Sequence, residues 1–555
     1  MHTFPRTATR LGSAKRSMHA LLLFLMLLLA TAAPAQEWHY TVRPGDNLWN
    51  VSTRYLMAVD YWPKLQALNG VTDPEHLPPG TKLRIPVAWL KRLPAKAMVL
   101  AVQGQVQALI ASTRKWVAVD PGLFLHQGDI LGTGPDSNVT LRFADGSRVL
   151  LQADSELRLV ILNARAQTPL VETRARLEKG RADSEVMPRT TGAGNRYEIW
   201  TPAAHSAVRG TRYRISMDPA TATSRLEVLE GLVELQGGRK TRSIPQGFGS
   251  LAETGKPPLM PVALLPPPAL GELPPLVSRV PIRWSFPAVP EAAAYRAQLA
   301  PNEQFDLLVF DTVSSTPAIR GPDLPDGNYV LRIRGIDARG LEGNDAEHRF
   351  RLHARPEPPL LVRPPHQSGV VEKPLLFEWS EPQGAASYLF QLANDERFLT
   401  PLLKQDDHRQ SRLTVEQPLE PGPYFWRVAV RDSTGRKGPF SDPQAFRLQA
   451  AAQMQPPELA ADRLTFRWST AAPGLQYDFQ LARDVDFTVL EQESRVSEAQ
   501  VSLPRPDSGV YYLRVRTIEA DGYVGPYGPV QRIDLPARNY WPAALVVLLA
   551  LVLIF

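Results

Sequence analysis

The residue types that enzymes use for covalent and metal chemistry are sparse in this chain. None of its 555 residues is cysteine, which rules out disulfides, thiolate metal sites and a cysteine nucleophile. The ten histidines include no H-x-H or H-E-x-x-H pair of the kind that holds catalytic zinc. Acidic neighbours such as Asp406 and Asp407 are common on protein surfaces, and their spacing defines no catalytic geometry. The sequence therefore predicts a noncatalytic protein that needs neither a metal nor a cofactor.

Local signals are densest between His39 and Pro86. Alternating Tyr40 and Val42 predict a short strand, which the turn Pro44-Gly45-Asp46 ends. A helix should follow, because Asp46 or Asn47 can cap its first turn and apolar residues recur at helical spacing. Those apolar residues are Leu48, Val51 and Tyr55.

A second helix and a second strand are expected to complete this segment. Asp60 can cap the helix, and Gly70 can end it in the left-handed conformation. Its apolar residues at helical spacing are Trp62, Leu65 and Leu68. The run Pro78-Pro79-Gly80 then turns the chain into a strand from Lys82 to Ile85. The predicted order is strand, helix, helix, strand.

This pattern resembles the LysM domain through YTVRPGDNLW (40–49), LN (68–69) and LPPGTKLRIP (77–86). The resemblance implies binding of N-acetylglucosamine-containing glycans, peptidoglycan in a bacterium, in a shallow groove between two loops whose backbone groups bond the sugar. The residues that it places in these loops are Arg43, Pro44, Gly45, Asp46, Asn47 and Leu48, and Gly70, Val71, Thr72, Asp73 and Pro74. The alternative is a core role, which we expect for Leu48, Trp49, Leu65, Leu83 and Ile85.

The first 35 residues have the pattern of a signal peptide. Four basic residues precede an apolar run from Ala20 to Ala30, and Ala33-Pro34-Ala35 offers a cleavage site. An uncleaved membrane anchor is the alternative, although the apolar run is short. Removing residues 1–35 would leave 58 Lys+Arg against 56 Asp+Glu, so we expect no binding to nucleic acid.

The composition predicts a mostly β, multi-domain chain, because 53 prolines and 36 glycines favour short strands and frequent turns. Clear period-2 patterns flank Ala144-Asp145-Gly146 and Glu230-Gly231 within the region 98–254, which are signals for hairpins or stacked coils. The segment 201–217 is also extended, apart from an interruption at residues 208–211.

Residues 98–254 resemble the FecR domain, the periplasmic signalling portion of siderophore-uptake regulators. The resemblance is carried by DGS (145–147), TPAAHSAVRGT (201–211) and LEGLVEL (229–235). It implies a β-rich, solenoid-like fold and a role in protein contact. Those regulators carry a sigma-factor-binding segment and a transmembrane helix before the domain, whereas this chain has a signal-peptide pattern and a LysM-like segment. Control of a sigma factor is therefore not expected.

Arg209 and Gly210 are candidate protein-interaction residues within this region. The alternative is structural: Gly210 permits an unusual backbone angle, and Arg209 can bond neighbouring carbonyls. His205 has no metal-binding partner at suitable spacing and is interpreted as a packed or surface residue.

The proline-rich segment 255–276 is predicted to be a stiff linker and a domain boundary. Three repeats follow it, at 277–354, 355–450 and 451–536, with Trp284, Trp379 and Trp468 in equivalent positions. A period near 90 residues indicates an array of domains. The units resemble fibronectin type III or Ig-like sandwiches. Their tryptophans are expected in the cores, with a carbohydrate platform as the alternative.

The tail 540–555 contains 13 consecutive apolar residues after Tyr540-Trp541-Pro542. As a helix these residues would span ~20 Å against a hydrocarbon core of ~30 Å, so we predict a short membrane anchor. A buried terminal segment or docking helix is the alternative.

Together these features predict an exported periplasmic or cell-envelope protein that is anchored by its tail and binds peptidoglycan and an envelope or membrane protein. A periplasmic signalling component that couples envelope state to a membrane sensor or regulator is the alternative function. A third possibility is a wall-cutting amidase or glycosidase with an unfamiliar site.

Overall fold

A computed structural model describes residues 37–166, 168, 170–188, 196–208, 210–371, 374–449, 452–469 and 474–537. The predicted signal peptide, Arg209 and the predicted tail anchor lie outside these residues. The described residues form two α-helices, two 3₁₀ turns and many short strands, which confirms the mostly β, multi-domain prediction. They divide into two compact units, one lying largely before Leu352 and the other largely from Leu352 onward.

The N-terminal module has the predicted order of strand, helix, helix and strand. Its elements are β1 Glu37–Thr41, α1 Leu48–Tyr55, a 3₁₀ turn Val59–Tyr61, α2 Trp62–Asn69, β2 Lys82–Pro86 and a 3₁₀ turn Val87–Trp89. The two strands pair antiparallel, with Tyr40 opposite Leu83. Helix α1 lies between them in sequence and buries its apolar face against them, so that Leu48 and Val51 have no exposed surface.

Two of the predicted helix caps, at Asn47 and Gly70, are observed, and the third, at Asp60, is not. Asn47 caps α1 reciprocally: its side chain accepts from the N–H of Asn50, and the Asn50 side chain accepts from the N–H of Asn47. Gly70 ends α2 with φ +60°, as predicted. The expected cap by Asp60 is wrong, because Asp60 lies inside a 3₁₀ turn and α2 begins after Tyr61 without a side-chain cap.

One core prediction in this module fails. Leu48, Leu65, Leu83 and Ile85 are fully buried, but Trp49 is 58% exposed. The reason is its position on α1, where it directly follows the buried Leu48 and so points away from the face that Leu48 and Val51 share. Two residues of the central region, Ala166 and Leu170, pack against the module core.

The central region contains eighteen strands among the described residues. They are β3 Arg92–Pro94, β4 Ala97–Gln103, β5 Val106–Ile110, β6 Lys115–Ala118, β7 Phe124–Leu125, β8 Ile130–Thr133, β9 Asn138–Arg142, β10 Arg148–Leu151, β11 Glu156–Arg165, β12 Val171–Glu185, β13 Arg196–Trp200, β14 His205–Val208, β15 Arg212–Asp218, β16 Thr223–Glu230, β17 Leu232–Gly237, β18 Lys240–Pro245, β19 Phe248–Glu253 and β20 Val262–Ala263. Their pairings run through two sheets and close into a single barrel.

The long strand β12 belongs to both sheets of this barrel. Its first part pairs with β11 and β13, its last six residues pair with β15, and the last four of these also pair with β10. The solenoid-like expectation is not confirmed by this arrangement. Apolar residues from both sheets fill one continuous core, which includes Leu141, Leu177 and Ile215.

The two turn signals have different outcomes. The Asp145-Gly146 turn joins β9 to β10 as a true hairpin, with Val149 opposite Leu141. At Glu230-Gly231 the chain instead crosses between sheets, because β16 pairs with β15 and β19 whereas β17 pairs with β14 and β18. Period-2 patterns on both sides of a turn predict two strands but not that the strands pair with each other.

The proline-rich segment 255–276 is partly incorporated into the fold. Residues Val262–Ala263 form β20 and pair with the start of β19, and Leu264, Leu270 and Leu273 are buried. The segment was predicted to be a stiff linker, and its middle part in addition pairs with the central region. Proline removes backbone donors, but the non-proline residues between the prolines can still pair at a sheet edge.

The first sandwich contains β21 Leu276–Val277, β22 Arg283–Ser285, β23 Ala294–Ala300, β24 Phe310–Ser314, β25 Ala318–Arg320, β26 Gly327–Ile336 and β27 Ala346–Leu352. One of its sheets has the order β27-β26-β23-β24, and β22 pairs with β25 in the other. This sandwich belongs largely to the first unit.

The second unit holds two further sandwiches. The strands of the second sandwich are β28 Leu361–Arg363, β29 Ser368–Val370, β30 Leu375–Trp379, β31 Ala385–Ala393, β32 Leu403–His408, β33 Arg412–Val415, β34 Gly422–Asp432, β35 Lys437–Phe440 and β36 Gln444–Leu448. Those of the third are β37 Glu458–Leu459, β38 Arg463–Arg467, β39 Gln476–Ala482, β40 Leu490–Val496, β41 Gln500–Pro504, β42 Gly509–Ile518 and β43 Gln531–Leu535.

The repeated aromatic residues lie in the sandwich cores. Trp284, Trp379 and Trp468 are at most 4% exposed, which confirms the core interpretation over a carbohydrate platform. The hydroxyls of Tyr424 and Tyr511 donate to the carbonyls four residues upstream, at 2.7 and 2.9 Å. Such a tyrosine corner is typical of Ig-like sandwiches.

Among the helices in the described part of the chain, none has the length and apolar character needed to cross a bilayer.

Candidate functional site

The two loops that the sequence marks as a glycan groove lie side by side in the N-terminal module. The N–H of Leu48, at the end of the first loop, donates to the carbonyl of Pro74, at the end of the second, at 2.9 Å. The first loop is a tight four-residue turn from Arg43 to Asp46, in which the N–H of Asp46 donates to the carbonyl of Arg43. Gly45, the third residue of the turn, has φ +85°. A positive φ at the third residue of such a turn favours glycine, so Gly45 shapes the loop.

Asp46 organises the first loop from inside. Its carboxylate is buried, accepts the Tyr40 hydroxyl and accepts the N–H of Arg43 at 2.8 Å. The guanidinium of Arg54, on α1, lies 3.6 Å from the Asp46 carboxylate. Burial, together with the Asp46 carboxylate, raises the pKa of Tyr40 above its ordinary value, so the hydroxyl stays a donor. The side chain of Asp46 is therefore a support for the loop and not a surface for sugar contact.

Asp73 plays the corresponding part in the second loop, but at the surface. Its carboxylate accepts the N–H groups of Glu75 at 2.9 Å and His76 at 3.3 Å, and these bonds lower its pKa. Gln66 on α2 donates to the carbonyl of Val71 at 3.0 Å. The second loop is thus tied to its own turn and to the preceding helix.

The predicted groove residues divide into exposed and buried sets. The exposed residues are Arg43, Pro44, Gly45, Gly70, Thr72 and Asp73, and the half-buried ones are Asn47, Val71 and Pro74. Leu48 lies in the module core, so only its backbone reaches the loop. Sequence reasoning missed Trp49, whose exposed indole directly follows the first loop. A signal was available, since Trp49 interrupts the pattern formed by Leu48, Val51 and Tyr55.

The candidate protein-interaction residues of the central region are only partly described. Gly210 has φ +61°, and a Cβ there would lie 3.0 Å from the Cα of Pro188. This tight approach supports the structural interpretation of Gly210. Arg209 lies outside the described residues. His205 is exposed, and its ring stacks on the Trp200 ring with 4.8 Å between the ring centroids. It is therefore a surface residue.

A buried group of charged side chains joins the central region to the first sandwich. We call it the interdomain ion cluster. It contains Arg181, Asp183, Arg214 and Glu227 from the central region, and Arg296, Arg334, Glu342 and Asp345 from the sandwich. The ion pairs that cross between the two regions, Arg181 with Glu342 and Arg214 with Asp345, join residues more than 100 positions apart, so the sequence did not predict them.

Glu342 is at the centre of this cluster. It accepts from Nε of Arg334 at 2.5 Å and from Nε of Arg296 at 2.8 Å, and it also pairs with Arg181. Burial alone would raise the pKa of Glu342, but these guanidinium groups hold it well below its ordinary value. Glu342 therefore stays ionised although it is almost fully buried.

Arg214 of the central region makes several of the hydrogen bonds to the first sandwich. Its guanidinium donates to Asp345 at 2.9 Å and to the carbonyls of Glu342 at 3.0 Å and Gly343 at 2.5 Å. Burial opposes ionisation of Asp345, but Arg214 and Arg334 lower its pKa to about 2. Removing either partner would leave a buried charge uncompensated, so we expect substitutions at this contact to be destabilising.

Glu227 differs from the other carboxylates of the cluster. It accepts the N–H of Glu342 at 3.2 Å, and the closest Arg214 nitrogen is 4.0 Å away. Burial raises the pKa of Glu227 to about 7, because the attraction of Arg214 is too weak to offset it and Glu342 adds repulsion. Burial also raises the pKa of Asp183.

Apolar and amide contacts extend the joint beyond the charges. Leu150 of the central region packs with apolar residues of the sandwich, among them Phe305 and Leu308. The Asn138 side chain donates to the Leu308 carbonyl at 2.8 Å and accepts its N–H at 3.1 Å. The central region and the first sandwich therefore form one packed body.

In the described part of the chain, no three or more His, Cys, Asp or Glu residues come together in a way that could hold a metal ion.

Comparison with family models matches residues 40–86 to the LysM domain and residues 129–234 to FecR protein. No curated protein sequence matches the chain significantly.

Several solved structures are also similar to parts of the chain. Two crystal structures of a protein assigned as an anti-sigma factor from Parabacteroides distasonis are 14% identical, with TM-scores of 0.21. Each match covers 24% of this chain and 59% of that one. The FN1–FN3 domains of chicken CNTN1 are 18% identical over 45% of this chain and 92% of that one, with a TM-score of 0.17. On the family models, this chain carries a LysM domain at residues 40–86 and a FecR domain at residues 129–234.

Proposed function

We propose that this chain is a noncatalytic bacterial cell-envelope protein that binds peptidoglycan through its LysM domain and presents its FecR and sandwich domains to other proteins. The LysM match over residues 40–86 carries the proposal. The geometry supports it, because the two loops meet at Leu48 and Pro74 and the exposed Trp49 directly follows the first loop in sequence. Sugar sites commonly combine a few polar groups with an apolar surface.

Trp49 gives this proposal a sharp test. Its side chain is 58% exposed, so Trp49→Ala should leave the fold intact while removing an apolar surface next to the groove. We expect sedimentation with purified peptidoglycan to weaken at least fivefold, since an aromatic contact contributes about 1 kcal/mol.

Trp116→Ala is the matched control, because Trp116 is 53% exposed on β6 of the central region, outside the LysM domain. This variant should sediment as the parent chain does, and circular dichroism should show both variants folded. Equal sedimentation of the Trp49 variant and the parent would remove Trp49 from the site. Peptidoglycan binding that persists after deletion of residues 36–90 would overturn the assignment of that binding to the LysM domain.

The envelope location is part of the same proposal. It is supported by the LysM and FecR matches and by the signal-peptide pattern of residues 1–35. We infer that the apolar tail 540–555 anchors the protein in a membrane. The full chain should then fractionate with membranes and resist a high-salt wash, while a chain ending at residue 538 should be released. A truncated chain that stays with membranes after peptidoglycan digestion would show another anchor.

The FecR match favours a second function, in which the protein is a periplasmic signalling component that couples envelope state to a membrane sensor or regulator. Affinity capture followed by mass spectrometry tests it. The bait should extend from the FecR domain through the first sandwich, because Arg214 and Leu150 are buried by that sandwich. Reproducible recovery of a sensor or regulator favours signalling, and recovery of structural envelope proteins favours scaffolding.

The noncatalytic part of the proposal rests on the lack of cysteine and of paired zinc-binding histidines. Incubation of the full chain with peptidoglycan should release no fragments in muropeptide chromatography. Released fragments would support the wall-cutting alternative.

A further inference from the structure

A polar cleft of about 840 Å³ lies between the FecR domain and the first sandwich, within the first unit. Its FecR wall includes Asp136, Asp154 and Asp218, and its sandwich wall includes strand β24. The cleft shares no residue with the two glycan loops, so it would serve a different ligand.

The sandwich wall is an edge strand. Among the described strands, β24 pairs only with β23, with Val313 opposite Arg296 and Asp311 opposite Gln298. The outer side of an edge strand presents N–H and C=O groups that another strand can bond. Residues 309–313 all line the cleft, and Val313 is 50% exposed. A row of backbone groups about 17 Å long therefore faces a cavity.

The charges that remain available in the cleft are mainly negative. Arg181 and Arg296 are already paired with Glu342, and the fourth lining carboxylate, Asp311, is paired with Arg296. Asp136 and Asp154 are exposed, and neither side chain has a partner among the described residues. Asp218 accepts the Thr221 hydroxyl at 2.8 Å, and this bond, with the Ala220 N–H, lowers its pKa.

Arg225 is the remaining basic residue of the lining, and its guanidinium donates to the carbonyl of Arg339 at 2.9 Å. One arginine faces three aspartates, so the available charge of the cleft favours a cationic ligand.

The buried side-chain oxygen of Gln152, at the cleft, accepts no hydrogen bond from the described residues. Gln152 lines the cleft and is only 3% exposed. Its nitrogen donates to Asp183 at 2.8 Å, whereas its oxygen has no hydrogen-bond partner within the described part of the chain. Buried acceptors are normally satisfied, so this oxygen indicates a position where a ligand can donate.

We propose that this cleft binds an extended segment of a partner protein, which adds a strand to β24 and directs Lys or Arg side chains toward Asp136, Asp154 and Asp218. Main-chain bonds to the strand edge provide affinity, and basic residues at every second position lie on one face and provide specificity. The proposal rests on the proposed role of the FecR domain in protein contact and gives that role a site and a partner chemistry.

Two fluorescent peptides of alternating sequence, (Lys-Thr)4 and (Glu-Thr)4, test the charge preference by anisotropy with the full chain. The lysine peptide should bind at least tenfold more tightly. The double variant D136N/D154N should weaken its binding at least fivefold. Both aspartates have positive φ, near +50°, which asparagine also adopts readily, so the variant should fold.

D407N is the matched control, because Asp407 is exposed with φ +62° but lies in the second sandwich. It should bind the lysine peptide as the parent chain does. Equal binding of the two peptides, or unchanged binding in D136N/D154N, would overturn the charge assignment.

Hydrogen exchange tests the strand addition directly. The bound lysine peptide should slow exchange of the amides of β24 but not those of the corresponding edge strands β32 and β40. Protection that is absent from β24 would show that the peptide binds by charge alone and would overturn the proposal.

Because the chain has no cysteine, single cysteines can be labelled selectively. A bulky maleimide on Val313→Cys should block the peptide, whereas the same label on Val362→Cys, at a position of similar exposure (52%), should not. Peptide binding that survives the label on Val313→Cys would count against the cleft.

A failure of the cleft proposal can be distinguished from a failure of the proposed function. Sedimentation with peptidoglycan should be unchanged in D136N/D154N, so a failure here would leave the glycan assignment standing. A partner protein that is captured equally by the parent and by D136N/D154N would keep the role in protein contact and overturn the cleft as its site.

Discussion

Single residues in this chain have roles that their types alone do not reveal. Asp46 and Asp73 occupy the two loops of the predicted glycan groove, but one is a buried support and the other an exposed cap. The sequence identified both positions through the LysM pattern and could not distinguish their roles, because burial depends on partners such as Tyr40. Trp49 shows the same limit, since its neighbour Leu48 is the residue that packs inward.

Glu227 provides a residue-scale prediction about pH. Its folded pKa of about 7 lies above the ordinary value of 4.5, so the folded state binds more protons than the unfolded state between these values. Its contribution to stability is therefore full below pH 4.5 and is lost as the pH rises through 7. Glu227→Gln keeps an acceptor for the Glu342 N–H and removes this loss. At pH 8 calorimetry should show the variant to be more stable, by at most about 3 kcal/mol.

The same measurement distinguishes Glu227 from the other acids of the interdomain ion cluster. Glu342 and Asp345 have lowered folded pKa values, so their contributions are present above their ordinary pKa and are lost only in more acidic solution. The exposed Glu234→Gln is the control and should leave the pH profile unchanged. A Glu227 variant that is less stable than the parent at pH 8 would contradict the expected direction.

At the scale of elements, the sequence predicted the strands of the N-terminal module, the strands beside the two turn signals and the sandwich cores, but not how the strands of the central region pair. Trp284, Trp379 and Trp468 were identified as core residues because they recur at the same strand position in each repeat. The crossing at Gly231 was not predictable, because the period-2 pattern is the same whether consecutive strands pair or enter different sheets. The interdomain ion cluster was missed for a similar reason, since Arg214 meets residues about 130 positions later.

Gly231 gives an element-scale prediction. It has φ +81°, and a Cβ there would lie 2.6 Å from Cγ2 of Thr211. Gly231→Ala should therefore destabilise the FecR domain through both backbone strain and a clash, by about 2 kcal/mol or more. Gly247→Ala isolates the strain, because Gly247 has φ +78° and no atom of the described residues lies within 4 Å of a Cβ there. Thermal melting should rank the parent first, then the Gly247 variant, then the Gly231 variant. Equal melting of the two variants would show that the crossing tolerates a side chain.

At the scale of the whole molecule, the largest departure from the sequence-based organisation is the joint between the FecR domain and the first sandwich. A proline-rich segment suggested a boundary near residue 255, yet β20 pairs with β19 inside that segment. Proline content reports which backbone donors are missing, and it does not report which surfaces pack together. The first sandwich is thus part of the body that includes the FecR domain and not only a spacer.

This organisation predicts how truncated chains behave. A fragment of residues 37–254 loses β20 and exposes Leu150, Arg181 and Arg214, which the first sandwich covers. A fragment of residues 37–354 keeps these contacts and should melt at a higher temperature. The shorter fragment should also bind more of a dye that fluoresces on apolar surfaces. Equal melting temperatures and equal dye binding would show that the joint contributes nothing to the FecR domain. The higher melting temperature of the longer fragment is expected because the sandwich buries apolar surface around Leu150 and because the pairing of β20 with β19 is kept.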